Sequence, residues 1–325
     1  MSCAHSAGQL NWPETLKFLY ENGANLDAQD TNGYTPLMYA VNNEATDSVR
    51  QLLRLGVKVH LVSNSGETAL HKAIATGALD RAKLLLEFGA DVEAVTKRCK
   101  ADGLSRLNCL ELAAYSGRIP VFEAVLQYVP DYKQSGEDNV LSAAVKGSEL
   151  EMLKFLLRRN KDIFQNLLFQ YNKDRNSLLH VAVSIARESV DREIVRQLHR
   201  AGIPIDSRID NDSEDFTRTA LAVSVQYGHI AMARSLLELG ATPYCRGDPN
   251  KKSWTFLHEA VLQARLPRSG GIREHFDELL TECEPWITKN NLISSKDYFV
   301  LGSTSCGSKD LRDRHAACAA LPSLT

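Results

Sequence analysis

The chain repeats itself every 33 residues, and that period limits what its 325 residues can fold into more than any other feature. The segment from Asp30, DTNGYTPLMYAVNNEATDSVRQLLRLGVKV, is followed by SNSGETALHKAIATGALDRAKLLLEFGADV. Gly33 recurs as Gly66, Thr35 as Thr68, Leu37 as Leu70, Leu53 as Leu86 and Gly56 as Gly89. A unit this short cannot bury its own apolar face, so neighbouring copies must stack and share a core. Leu70, Ala73 and Ile74 stand at i, i+3 and i+4, the buried stripe of a first helix. Leu84, Leu85 and Leu86 are apolar almost all round, as suits a second helix packed between neighbours. Ala75-Thr76-Gly77 reads as the break between the two helices. Thr68 is placed to cap the first helix, and Pro36 falls in a first turn, where its missing N–H costs nothing. Gly23, Gly56, Gly89, Gly202 and Gly240 each follow a second helix, where a left-handed residue ends it. Asn160 tolerates that conformation in the same place, whereas Val129 and Cys283 predict a different turn.

Looser copies follow at separations of 31 to 42 residues. Asn108-Cys109-Leu110 precedes LAAYSG (112–117), and Asn139-Val140-Leu141 precedes SAAVKG (142–147). Ser177-Leu178-Leu179-His180 leads into VAVS, Thr219-Ala220-Leu221 into AVSVQYGH, and Thr255-Phe256-Leu257-His258 into EAVLQ. Residues 14–30 supply the back half of a further unit. Ala4-His5-Ser6-Ala7-Gly8 before them reads as a helix-to-helix break, so the expectation is a truncated first unit without a polar cap, part of a longer parent. The Thr-Pro-Leu-His-x-Ala pattern at this spacing resembles the ankyrin repeat family over about residues 4–284, most sharply at 30–62, 63–95 and 217–242. The resemblance implies an all-α solenoid of stacked helix-turn-helix units with projecting β-hairpin loops, about eight in number, the first and last atypical. The units are expected near 1–29, 30–62, 63–102, 103–133, 134–171, 172–211, 212–249 and 250–284. Residues 285–325 form a tail expected to cap the array and to be partly disordered; about forty residues are too few for an independent catalytic domain. Lengthened connections at 95–106, 206–216, 246–253 and 265–271 alternate basic and acidic character, as fingers that contact a partner in fixed register would.

Composition narrows the function. Lys and Arg number 38 against 40 Asp and Glu, a net charge of −2 that supplies no basic excess for a general nucleic-acid or membrane surface. No apolar run reaches the ~18 residues of a membrane span, and no basic-then-apolar signal opens the chain. The cysteines at 3, 99, 109, 245, 283, 306 and 318 show no paired spacing, which reads as reduced thiols in the cytoplasm or nucleus. Cys306, His315 and Cys318 lack zinc-site spacing, and the acids at 206–215 lack the turn glycine and closing glutamate of a calcium loop. Arg246-Gly247-Asp248 is an accidental match to an adhesion tripeptide. No phosphate loop, nucleophile elbow, kinase signature or H-E-x-x-H occurs, so neither a cofactor nor an enzyme is expected.

Binding is the activity left. The family resemblance implies that His71, His180 and His258 tie a turn to a helix by hydrogen bonds, and that Met38, Glu111, Ser142 and Ala222 in the same slot weaken the tie. It also implies a concave face lined by hairpin tips and the exposed sides of first helices. In that register the candidate partner-binding residues are Tyr34, Tyr39, Asn42, Asn43, Lys72, Tyr115, Lys146, Gln226, Tyr227 and Glu259. Tyrosine gives large contact area at low entropy cost. The expectation is a monomeric, non-enzymatic scaffold that docks a partner protein. The rivals are an adaptor or transcriptional co-regulator in a larger assembly, and the ankyrin portion of a truncated multi-domain protein. The tail at 311–325 faintly echoes a ubiquitin-ligase-recruiting box but lacks its leucine–cysteine–arginine and proline-rich order.

Overall fold

A computed structural model describes residues 2–97, 106–129, 139–159, 167–170, 176–185, 189–207, 219–242, 244–246 and 254–255. The chain divides into two compact units, residues 1–174 and 175–325. In the first, five helix pairs follow one another: α1 (Cys3–Gln9) with α2 (Pro13–Glu21), α3 (Pro36–Asn42) with α4 (Thr46–Arg54), α5 (Ala69–Thr76) with α6 (Leu79–Glu87), α7 (Cys109–Tyr115) with α8 (Ile119–Leu126), and α9 (Val140–Lys146) with α10 (Leu150–Arg159). First helices pack on first helices and second on second: α1 on α3, α3 on α5, α5 on α7 and α7 on α9, with α2 on α4, α4 on α6 and α6 on α8. In the second unit α11 (Leu178–Ser184) pairs with α12 (Ser189–Arg200) and α13 (Ala220–Gln226) with α14 (Ile230–Glu238). There α11 packs on α13 and α12 on α14. A short antiparallel hairpin of β1 (Tyr244–Arg246) and β2 (Trp254–Thr255) follows α14.

The apolar period places the core where the sequence puts it. Leu70, Ala73 and Ile74 have no accessible surface, and neither do Leu52, Val49 and Leu85 on the second helices they face. Each such leucine contributes about 1.5–3 kcal/mol by leaving water, but only because a neighbouring pair covers it. Five of the described first helices start on side-chain caps. The hydroxyls of Thr35, Thr68 and Thr219 and the amide oxygens of Asn108 and Asn139 accept the N–H three residues on. Second helices follow a residue without a capping side chain. For α4 the cap comes from the preceding pair, where Asn11 Oδ1 accepts the Ser48 N–H at 2.9 Å.

The five glycines after second helices are left-handed as expected, with φ between +78° and +103°, and Val129 is not. Two expectations change. Ala75 and Thr76 belong to α5, and the break is Gly77 alone in the left-handed region. The segment Ala4–Gly8 is not a break but most of a first helix. Ser2 and His5 stand 33 residues before Thr35 and Met38, and His5 Nδ1 accepts the Ser2 N–H at 3.0 Å. The actual break is Leu10–Trp12, with Asn11 at φ 56°. The low apolarity of CAHSAGQ hid this helix, because small residues pack closely without a visible stripe.

Candidate functional site

Around residues 30–34, 63–67 and 95–97 the backbone turns through fingers, and these three are stitched together. Asn64 N–H donates to the Asn32 carbonyl at 3.0 Å, and Lys97 N–H to the Ser65 carbonyl at 2.9 Å. Asn64 Nδ2 adds a bond to the Thr31 carbonyl at 3.0 Å, and Gln29 Nε2 bridges the Gly33 and Val62 carbonyls. Gly33 is required here. Its φ is +75°, and a Cβ would lie 2.8 Å from the Asn64 nitrogen. These three fingers therefore form a row of fixed spacing.

Asp30 anchors its finger. It accepts the N–H groups of Asn32 and Tyr34 at 2.9 and 2.8 Å, and the Tyr39 hydroxyl donates to its other oxygen at 2.8 Å. Burial pushes the Asp30 carboxyl up, and these donors outweigh it, leaving the group below the usual carboxylate range. The hydrogen bond to Asp30, then burial, raises the Tyr39 phenol. On the preceding pair, His5 reaches across. With Nδ1 an acceptor, its Nε2–H donates to the Tyr34 carbonyl at 2.9 Å, and its ring meets Tyr39 edge-on at 5.5 Å. On the following pair, Lys72 Nζ lies 4.9 Å from the Tyr34 ring centroid and 2.6 Å from Glu67 Oε2. Burial alone would lower the Lys72 pKa, but the bonds to Glu67 and Tyr34 raise it overall. Glu67 accepts from Ser65 as well, and its carboxyl is held low against the effect of burial.

The structure thus gathers Tyr34, Tyr39 and Lys72, from two successive helix pairs, into one patch bordered by His5 of the pair before. Both tyrosines and Lys72 are half-buried. Asn42 and Asn43 are exposed at the end of α3, with Asn43 Nδ2 donating to the Tyr39 carbonyl. Tyr115 and Lys146, half-buried, end α7 and α9, and the Tyr115 carbonyl would lie 2.0 Å from a Cβ on Gly147. In the second unit Gln226 ends α13, and the exposed Tyr227 stacks on His229 at 5.9 Å. Glu259 and His258 lie outside the described residues, as do Asn160, Cys283 and the tail.

His71 makes the expected tie: its Nδ1 accepts the Thr68 N–H at 3.2 Å and meets the Thr68 hydroxyl at 2.8 Å. Burial, partly offset by Glu67 and by the Ala94 and Leu107 carbonyls, lowers its pKa to about 4. His180 Nδ1 meets the Ser177 hydroxyl at 2.7 Å. Glu111 corrects the expectation of a weakened tie. Its Oε2 accepts the Asn108 N–H at 2.9 Å while Asn108 Oδ1 accepts the Glu111 N–H at 2.8 Å, a full capping box with a carboxylate in place of imidazole. The sequence pattern pointed to neither His5 nor Asp30 as part of the patch. The 33-residue shift from Thr68-x-x-His71 through Thr35 to Ser2-x-x-His5 was the signal for the first.

The charged groups of the patch are engaged: Lys72 and Glu67 hold each other, and Asp30 holds two amides and the Tyr39 phenol. Cys109, packed under His71 at 3.9 Å, has its thiol pushed up by burial. Among the described residues no cluster of three metal-ligating side chains occurs, and no helix is long and apolar enough to cross a membrane.

The family model for ankyrin repeats, in three copies, matches residues 2–96. The crystal structure of the human ASB11 ankyrin repeat domain is similar in fold, with TM-score 0.54 and 20% identity, over 75% of this chain and all of that one. No curated protein sequence matches the chain. Ankyrin repeats are in general protein–protein interaction modules, and their fold is typically non-enzymatic. Residues 2–96 are thus ankyrin repeats, and the described helix pairs after them share the fold of an ankyrin repeat domain.

Proposed function

We propose that the chain is a non-catalytic module that grips a partner polypeptide on the face built by its first helices and fingers. Tyr34, Tyr39, Asn42, Asn43 and Lys72 form the centre of that face in the first unit, and Tyr115 and Lys146 extend it. Gln226 and Tyr227 offer a separate contact in the second unit. The observation that carries the reading is the prearranged patch at Tyr34, Tyr39 and Lys72, where Asp30, Glu67 and, from the preceding pair, His5 fix residues of two helix pairs. Rigid aromatic side chains lose little freedom on binding, so more of the contact energy survives as affinity. Cys3 and Cys109 are free thiols, which supports a reducing compartment, the cytoplasm or the nucleus.

Affinity capture with the full chain tests the reading, with Tyr34→Ala/Asn42→Ala as the comparison. Polypeptides retained by the parent and lost with the variant are the expected result. Retention of no polypeptide above background, or retention indifferent to the substitutions, overturns it.

A further inference from the structure

The third finger closes on a pair of like charges. Val95 and Asn108 form an antiparallel bridge, Thr96 N–H donates to the Leu107 carbonyl at 3.0 Å, and Leu107 N–H donates to Thr96 Oγ1 at 3.1 Å. The same register sets Lys97 opposite Arg106, a relation in which like charges repel. Both residues are exposed, and neither has an ion pair among the described residues; the Lys97 ammonium reaches only the Asn64 carbonyl, at 3.4 Å. The acids around them do not answer this charge. Asp91 and Glu93 stand earlier on the same arm without pairing to either base, and Glu67 is held by Lys72. Glu44, exposed and without an ion pair among the described residues, follows α3 at the end away from the fingers.

From this we infer that the fingers take an acidic polypeptide segment, which lays a carboxylate between Lys97 and Arg106 while its adjoining residues run toward Tyr34. A carboxylate there meets two cations that otherwise face only each other, so charge complementarity favours this occupant. The basic pair is continuous with the patch. Lys97 N–H bonds to the Ser65 carbonyl at 2.9 Å, and a Cβ on Gly66 would lie 2.8 Å from Lys97 Cγ, so the third finger is seated on the one whose Glu67 holds Lys72. A nucleic-acid backbone suits the place less well, because it needs a longer basic track than two residues and the whole chain carries a net charge of −2. The inference rests on the binding reading above and adds the charge of the partner.

The test is selection of a displayed library of random peptides on the full chain. Enriched peptides are then measured on the parent, on Lys97→Gln/Arg106→Gln, on Lys97→Arg/Arg106→Lys and on Tyr34→Ala. Both basic positions are exposed, so thermal unfolding of their variants should match the parent. The expected peptides carry an excess of Asp and Glu, bind about tenfold more weakly to the glutamine variant, and stay within about threefold on the charge-keeping one. Their affinity for the parent falls about tenfold from ~0.05 to ~0.5 M salt, and scrambled versions of them bind worse. Peptides without an acidic excess, or acidic ones that scrambling or the glutamine variant leaves unaffected, overturn the inference; if Tyr34→Ala weakens them, the binding face stands. A random oligonucleotide that displaces them at lower concentration overturns the inference as well. Peptides indifferent to the Tyr34 and the Lys97/Arg106 substitutions alike, or no enrichment, overturn the binding face and the inference with it.

Discussion

Acidification should unfold this protein partly through one side chain, His71. Its imidazole is fully buried, and burial lowers its pKa from the ordinary 6.5 to about 4. Above pH 6.5 the ring is neutral in both folded and unfolded chains, and its stabilising effect is complete. Between the two values the unfolded chain binds a proton that the folded chain refuses, so stability falls with pH at about 1.4 kcal/mol per unit. Over the whole window the loss is about 3 kcal/mol, a large part of a typical domain's stability. His71→Gln isolates the effect. Glutamine closes the same capping box without titrating, just as Glu111 closes its own with a carboxylate. Urea unfolding of both proteins, followed by far-UV circular dichroism from pH 7 to pH 4.5, should show the parent losing about 2–3 kcal/mol more than the variant. Parallel curves, within about 0.5 kcal/mol across the range, would refute the reasoning.

Further tests bear on the local geometry. Glu44 holds the helix-to-helix turn at φ 61°, where Gly77 and Gly117 stand in later pairs, so Glu44→Gly should stabilise by about 0.5–1 kcal/mol in urea unfolding. Gly147→Ala forces a Cβ onto the Tyr115 carbonyl and should destabilise by about 2 kcal/mol or more, with a lower thermal midpoint. Glu111→Ala removes the carboxylate that accepts the buried Asn108 N–H and should cost about 1–2 kcal/mol, while Glu111→Gln keeps most of the stability.

The period, the helix pairs and the capping threonines were legible because each rests on a local rule. A helix start needs an oxygen acceptor, and its end needs a residue that tolerates left-handed backbone. The first helix, Cys3–Gln9, was illegible for the opposite reason: its buried side chains are Ala4, His5, Ala7 and Gly8, too small to mark an apolar stripe. At the site, register put Tyr34, Tyr39 and Lys72 on one face. It did not reveal that Asp30 and Glu67 hold them there, because those bonds run between residues whose spacing follows no helical rule. The partial exposure of the tyrosines is likewise a property of the neighbours, set by the next pair's Lys72 and the previous pair's His5. Glu111 shows how a chemically different residue fills a repeated slot. A pattern match reads it as a loss, whereas the donor it must satisfy reads it as equivalent.

A polypeptide docked on the first-helix and finger side slows amide exchange there and nowhere else in the first unit. Hydrogen–deuterium exchange of the full chain, alone and saturated with a captured polypeptide, reads this out. Added protection should fall on residues 30–43 and 63–76, leaving α2, α4 and α6 as they were. Protection confined to those second helices, or none at all in the first unit, would contradict the account.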